Sequence, residues 1–103
     1  MYQTSYIYIV TNKWRTTLYT GVTSDLIDRI WKHKEKFYPH SFSAKYKTTY
    51  LIYYETFDSI EDAISREKYI KGKSRQFKED LVNSLNPSWV DLYEDFKKAY
   101  YGD

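Results

Sequence analysis

The sequence predicts an α/β domain with a small antiparallel sheet of three strands flanked by helices, in the order ββαβααα. Three observations predict it. Two runs rich in aromatic and β-branched residues, 5–11 and 17–22, sit on either side of a turn-like stretch at Asn12–Thr16, as expected of a β-hairpin. Later segments place apolar residues at helical spacing behind serines or aspartates that can cap them. The chain has 103 residues and no cysteine, so it suits one domain held by packing, with neither disulfides nor a thiolate zinc site.

Within the hairpin, alternation puts Tyr6, Tyr8 and Val10 on one face of the first strand and Thr17, Tyr19 and Gly21 on one face of the second, so two tyrosines can lie side by side. Ser24 or Asp25 can cap a helix running to about Lys36, with Leu26, Ile27, Ile30, Trp31 and Phe37 on its apolar side. Arg29 and His33 are four apart and share one edge of that stripe. Residues 38–49 read as a loop. Tyr50–Tyr54 reads as a third strand, apolar on both faces.

A second helix is predicted from Ser59, with Asp62 three residues on in a capping-box-like start, to Gly72. A third follows Ser74 to Leu85, with Phe77, Leu81 and Leu85 on one side. After Asn86 and Pro87, a last helix is predicted to carry Trp89, Tyr93, Phe96 and Tyr100 as one stripe. That stripe must cover something apolar. Residues 1–86 are accordingly expected to form the body and 87–103 a C-terminal helical extension packed on it.

The formal charge of +2 says little by itself, but residues 91–103 carry −2, which leaves +4 on the rest. Tyrosine is unusually frequent at 13, against five Phe and three Trp; most are explained by half-buried strands and domain edges. No apolar run approaches a bilayer span and the start lacks a signal-peptide pattern, so the expectation is a soluble, cytoplasmic protein without a membrane partner.

The strongest anomaly is Glu67. At 100° per residue it falls amid the stripe of Ile60, Ala63, Ile64 and Ile70. An ionised carboxylate on the core side of a helix needs a metal ion, a basic residue or a proton to compensate it.

Tyr6-Ile7-Tyr8, ten residues, then Tyr19-Thr20-Gly21, followed by a helix bearing Arg29, resembles the GIY-YIG nuclease pattern. The wording of LYTGVTSDLIDRIWKHK and EDAISREKYIKGKSR is similar to small stand-alone members of that superfamily. It is more distantly similar to the N-terminal nuclease domain of the bacterial excinuclease. The resemblance implies that Tyr8 and Tyr19 are the tyrosines of the two motifs and Arg29 the arginine of the first helix. It matches His33 to a histidine found in some members and Glu67 to the carboxylate that holds a divalent ion. Tyr6 stands where the motif has glycine, and Thr20 where it has isoleucine; both are backbone or packing positions.

The implied function is a metal-dependent DNA endonuclease using Mg²⁺ or Mn²⁺, in repair or recombination; the sequence does not fix the oligomeric state, monomer or weak homodimer. The alternative is a module of the same fold that binds nucleic acid with little catalysis. The chemistry asks for these residue types. Tyrosines can relay a proton, the planar arginine donors suit a phosphate, and one carboxylate suffices for a hard ion when substrate and water supply the other ligands. Lys32 and Lys36 on the first helix, Lys45 in the loop, and Lys71, Lys73, Arg75 and Lys78 around the later helices flank these residues. They are the candidate phosphate contacts.

Overall fold

The structure, a computed structural model, describes residues 3–35 and 45–102. Strands β1 (Ser5–Thr11), β2 (Leu18–Thr23) and β3 (Tyr50–Phe57) form one antiparallel sheet in the order β2-β1-β3. The helices are α1 (Leu26–Glu35), α2 (Ile60–Lys71), α3 (Arg75–Leu85) and α4 (Tyr93–Tyr101). The predicted fold class and element order are those observed. The third strand extends to Phe57, three residues past its predicted end.

β1 lies in the middle with both of its neighbours antiparallel to it. The two edge strands therefore run in the same direction, and the connection between them must cross β1. α1 makes that crossing. It buries Leu26 and Ile30 against Tyr6, Tyr8, Val10 and Leu51, which sets its other residues above the central strand.

The opposite face is aliphatic at its centre, with Tyr53, Phe57, Phe77 and Trp89 around it. Ile7, Ile9 and Ile52 pack with Ala63, Ile70 and Val82 from α2 and α3. A bulge between Ile9 and Val10 in the pairing with β3 leaves Ile52 without a partner in register. Ile52 and Tyr53 consequently both face this second core, whereas Leu51 and Tyr54 face the first.

Serine caps hold as the spacing predicts. The Ser59 side chain accepts from the Asp62 N–H and that of Ser74 from the Phe77 N–H. The last helix is shorter than predicted. Trp89 is not on it: its φ of 54° is left-handed, and it packs against the second core while Tyr93 and Phe96 pack against the first. The cause is Asn86. Its side-chain amide donates to the Ile52 and Val90 carbonyls at 3.0 and 2.8 Å and its oxygen accepts from the Val90 N–H at 3.1 Å, a local turn that outcompetes helix.

Asp91 then ties three elements together. It accepts from the Leu51 N–H of β3 and the Tyr93 N–H of α4, and it pairs with Lys34 of α1. Lys34 also donates to the Thr49 carbonyl at 2.9 Å. The end of α1 that carries His33 is thereby fixed to the sheet and to α4.

Candidate active site

Tyr8 lies on the central strand directly opposite Gly21 of β2. Its ring leans across that glycine. A Cβ at position 21 would sit 2.3 Å from both Cζ and Oη of Tyr8, well inside van der Waals contact, so only glycine leaves the ring its seat. Tyr19 is diagonal to Tyr8 on β2, and the two ring centres are 6.5 Å apart. His33, one helical turn beyond Arg29, closes the group, with its ring centre 5.5 Å from that of Tyr8 and 5.8 Å from that of Tyr19. The Tyr8 hydroxyl and His33 Nε2 are 3.0 Å apart.

The electrostatics follow from burial. Tyr8 is wholly buried, and burial pushes its phenol above the ordinary value; the Arg29 guanidinium opposes the rise by its charge and by hydrogen bonding, while Tyr19 and Glu67 add to it. His33 moves the other way. Burial, helped by the Arg29 charge, lowers it from 6.5 to about 4, so it is neutral at pH 7. In the tautomer protonated on Nδ1, Nε2 accepts the Tyr8 hydroxyl proton.

Glu67 sits between Ala63 and Ile70, both fully buried, and its side chain is 14% exposed. The core-facing stripe of α2 is narrower than predicted: Ile60 and Ile64 are each 37% exposed and flank it. Lys71, one turn on, pairs with Glu67 Oε2 at 3.2 Å and lies 5.4 Å from the Tyr19 ring centre. Compensation by a basic residue is thus present, supplied by an exposed lysine that can swing away.

Among the described residues no three His, Cys, Asp or Glu side chains are grouped to hold a metal. Among the described residues, a cage built wholly from protein ligands is therefore not offered. One shielded carboxylate, Glu67, would suit a hard divalent ion whose other ligands are water and substrate oxygens.

The phosphate-contact candidates separate. Lys71 belongs to the Glu67 pair, and Lys32 pairs with Asp28 at 3.0 Å. Arg75 has a structural role, because its guanidinium donates to the Arg15 and Thr16 carbonyls at 2.6 and 2.9 Å and to Glu79 at 2.7 Å, clasping the hairpin turn. Lys73 lies 4.5 Å from the Tyr69 ring centre, Lys45 lies 5.3 Å from that of Tyr46, and Lys78 is half-buried on α3. Lys36 lies outside the described residues.

Two features were missed by sequence reasoning. One is the role of Gly21 as the seat of Tyr8, for which the spacing to Tyr19 was the available signal. The other is a lock on β3 and α2: Arg66 donates twice to Glu55, at 3.0 Å each, and the Tyr53 hydroxyl donates to the same carboxylate. Burial pushes the Glu55 carboxyl up, but these bonds outweigh it and hold it below its ordinary value. Glu55 lies just beyond the predicted end of that strand, so its place on one face with Tyr53 was not legible.

The sequence profile of the GIY-YIG catalytic domain matches residues 4–80. The chain is 40% identical over 82 residues to a UPF0213 protein of Staphylococcus saprophyticus, covering 76% of this chain and 93% of the relative. It is 37% identical over 84 residues to one of Clostridium perfringens, covering 78% of this chain and 84% of the relative. The fold is similar to the solution NMR structure of a UPF0213 protein of Bacillus halodurans, with a TM-score of 0.54 and 29% identity over 86% of this chain and 93% of that one. With a profile match spanning both tyrosine strands, α1 and α2, and a solved relative of the same fold, the chain belongs to the GIY-YIG family.

Proposed function

We propose that the chain is a metal-dependent endonuclease that hydrolyses phosphodiester bonds in DNA, and on the same family ground that its setting is DNA repair or recombination. The observation that carries this reading is the 3.0 Å contact between the Tyr8 hydroxyl and a neutral His33 Nε2. A buried phenol cannot rest as phenolate, so it can take a proton from an attacking water only by giving one up. His33 is the acceptor. In one concerted motion Tyr8 Oη receives the water proton and its own proton passes to Nε2, and no free phenolate forms.

Arg29 is exposed beside this pair. Its planar donors suit the non-bridging oxygens of a phosphate, and its charge there favours the developing negative charge. Tyr19 packs against both rings and orients them. Glu67 would hold Mg²⁺ or Mn²⁺, an ion that supplies charge stabilisation to the leaving oxygen. The shielded position of Glu67 keeps its carboxylate aimed.

The test is incubation of the purified protein with single-stranded, duplex and branched DNA, with and without Mg²⁺ or Mn²⁺. Cleavage that a chelator abolishes is expected. In Glu67→Gln, cleavage falls by orders of magnitude while the melting temperature without metal is equal or higher. No cutting of any substrate with either ion would overturn the reading in favour of a binding module.

A further inference from the structure

Beyond the hairpin end of the sheet, a cleft of 240 Å³ is lined by Lys13, Trp14, Lys47, Thr49 and Tyr50. It shares no residue with the site around Tyr8. Its two aromatic walls are open to solvent, Trp14 being 56% and Tyr50 37% exposed. The two rings offer a flat apolar surface at one cleft. Two ammonium groups stand over the Trp14 indole, Lys13 Nζ at 4.8 Å and Lys47 Nζ at 5.9 Å from the ring centre. A flat apolar platform ringed by positive charge suits one chemistry above others: a planar ring attached to an anion.

The platform is rigid. Trp14 occupies the turn closed by the Arg15 N–H donating to the Asn12 carbonyl at 3.0 Å. The Asn12 side chain accepts from the Thr16 N–H at 2.9 Å. Arg75 holds the Arg15 and Thr16 carbonyls from α3, and Arg15 donates to the Ser88 carbonyl at 2.9 Å. A loop pinned from several sides presents its tryptophan with little ordering left to do on binding.

The cleft lies near the Tyr8 group along the sheet. Tyr50 is in register with Thr11, three residues along β1 from Tyr8, roughly 10 Å at the strand rise. Lys34, the residue after His33, lies 5.9 Å from the Tyr50 ring centre. The span along β1 between the Tyr8 position and the cleft is one that a few nucleotides can bridge.

We propose that Trp14 and Tyr50 form a stacking subsite for an unpaired base, with Lys13 and Lys47 neutralising the adjoining phosphates, so that the substrate carries a single-stranded segment beside the cut. This rests on the nuclease reading for its consequence, not for its binding chemistry. Bases in a duplex are stacked on one another and cannot enter. A base released from pairing can, with little regard for its identity.

The experiment measures fluorescence anisotropy of a labelled oligodeoxythymidylate and of a blunt duplex of equal length, both in chelator so that nothing is cut. Trp14→Ala is expected to weaken single-strand binding about ten-fold, the worth of one aromatic stack, and to change duplex binding less than about two-fold. Trp14→Phe is expected to restore most of the loss, and Lys13→Gln with Lys47→Gln to flatten the salt dependence of single-strand binding. Unchanged single-strand affinity in Trp14→Ala, or equal weakening for both ligands, would overturn the subsite. The nuclease reading is tested separately by wild-type cleavage with metal. Single-strand loss in Trp14→Ala without any wild-type cleavage would sustain the subsite and remove the catalysis; duplex cleavage with unchanged Trp14→Ala binding would do the reverse.

Discussion

The two faces of the sheet grow from the same three strands and hold different chemistry. Under α2 and α3 the strands offer Ile7, Ile9 and Ile52 to Ala63, Ile70 and Val82. Under α1 and α4 they offer Tyr6, Tyr8, Tyr19 and Tyr54, with Tyr93 and Phe96 packed among Val10, Leu26 and Leu51. Methyl groups fill volume and ask for nothing more. A phenol fills volume too, but its hydroxyl must find a partner when buried. The face under α2 and α3 satisfies its one buried phenol, Tyr53, through Glu55, while the aromatic face keeps Tyr8 Oη at a fixed place beside a histidine. Glu67 bridges the two: it is carried by a helix of the aliphatic side, yet its charge is felt at Tyr8.

This division can be broken by substitution. The largest effect is expected from Gly21→Ala, because the new methyl group would fall 2.3 Å from the Tyr8 ring, and a fully buried ring has nowhere to retreat. Both melting temperature and cleavage should collapse together. Ile9→Ala removes side-chain volume from the aliphatic face and should cost about 2–5 kcal/mol in denaturant unfolding. Cleavage per folded molecule should stay at the wild-type rate. A specific loss of activity in this variant would show the faces to be coupled.

A smaller effect is expected at the hairpin turn. Arg75→Gln breaks the clasp on Arg15 and Thr16, costing about 1 kcal/mol for exposed bonds of this kind. It should leave the salt dependence of DNA binding unaltered, in contrast to Lys73→Gln with Lys78→Gln, which should flatten it.

The aromatic face also predicts an acid limb of stability. His33 has a folded value of about 4 against an ordinary 6.5, so between these the unfolded chain binds the extra proton. Its contribution is complete above about pH 6.5, shrinks as pH falls towards 4, and is level below. Thermal melts across that range should show the slope in the wild type and its reduction in His33→Gln.

What the sequence made legible was whatever depends on local period. The hairpin, the serine caps at Ser59 and Ser74, and the outlying Glu67 all rest on neighbours within about one turn or one strand pair. The remainder depends on groups distant in the chain. Trp89 fits a helical stripe by spacing, but Asn86 bonding to Ile52, 34 residues away, removes it from the helix. Arg75 reads as one of a basic cluster until the turn at Arg15, 60 residues distant, takes its donors. The Lys71 partner of Glu67 lay at the ordinary spacing of i and i+4, where a lysine was one of several possible compensations and only geometry could choose. Tyr8 and Tyr19 were legible as a pair, but the glycine seat and the His33 contact needed the sheet register and the path of α1.

The central claim is that the Tyr8 hydroxyl moves a proton and does not merely fill the core. Tyr8→Phe removes that one oxygen and keeps the ring on Gly21, so the measurement is DNA cleavage per folded molecule, with the melting temperature taken on the same samples. The expected result is a drop in rate of about 10²–10⁴, the usual worth of a positioned proton-transfer group, with a melting temperature close to that of the wild type. Cleavage at the wild-type rate by a folded Tyr8→Phe protein would contradict the account.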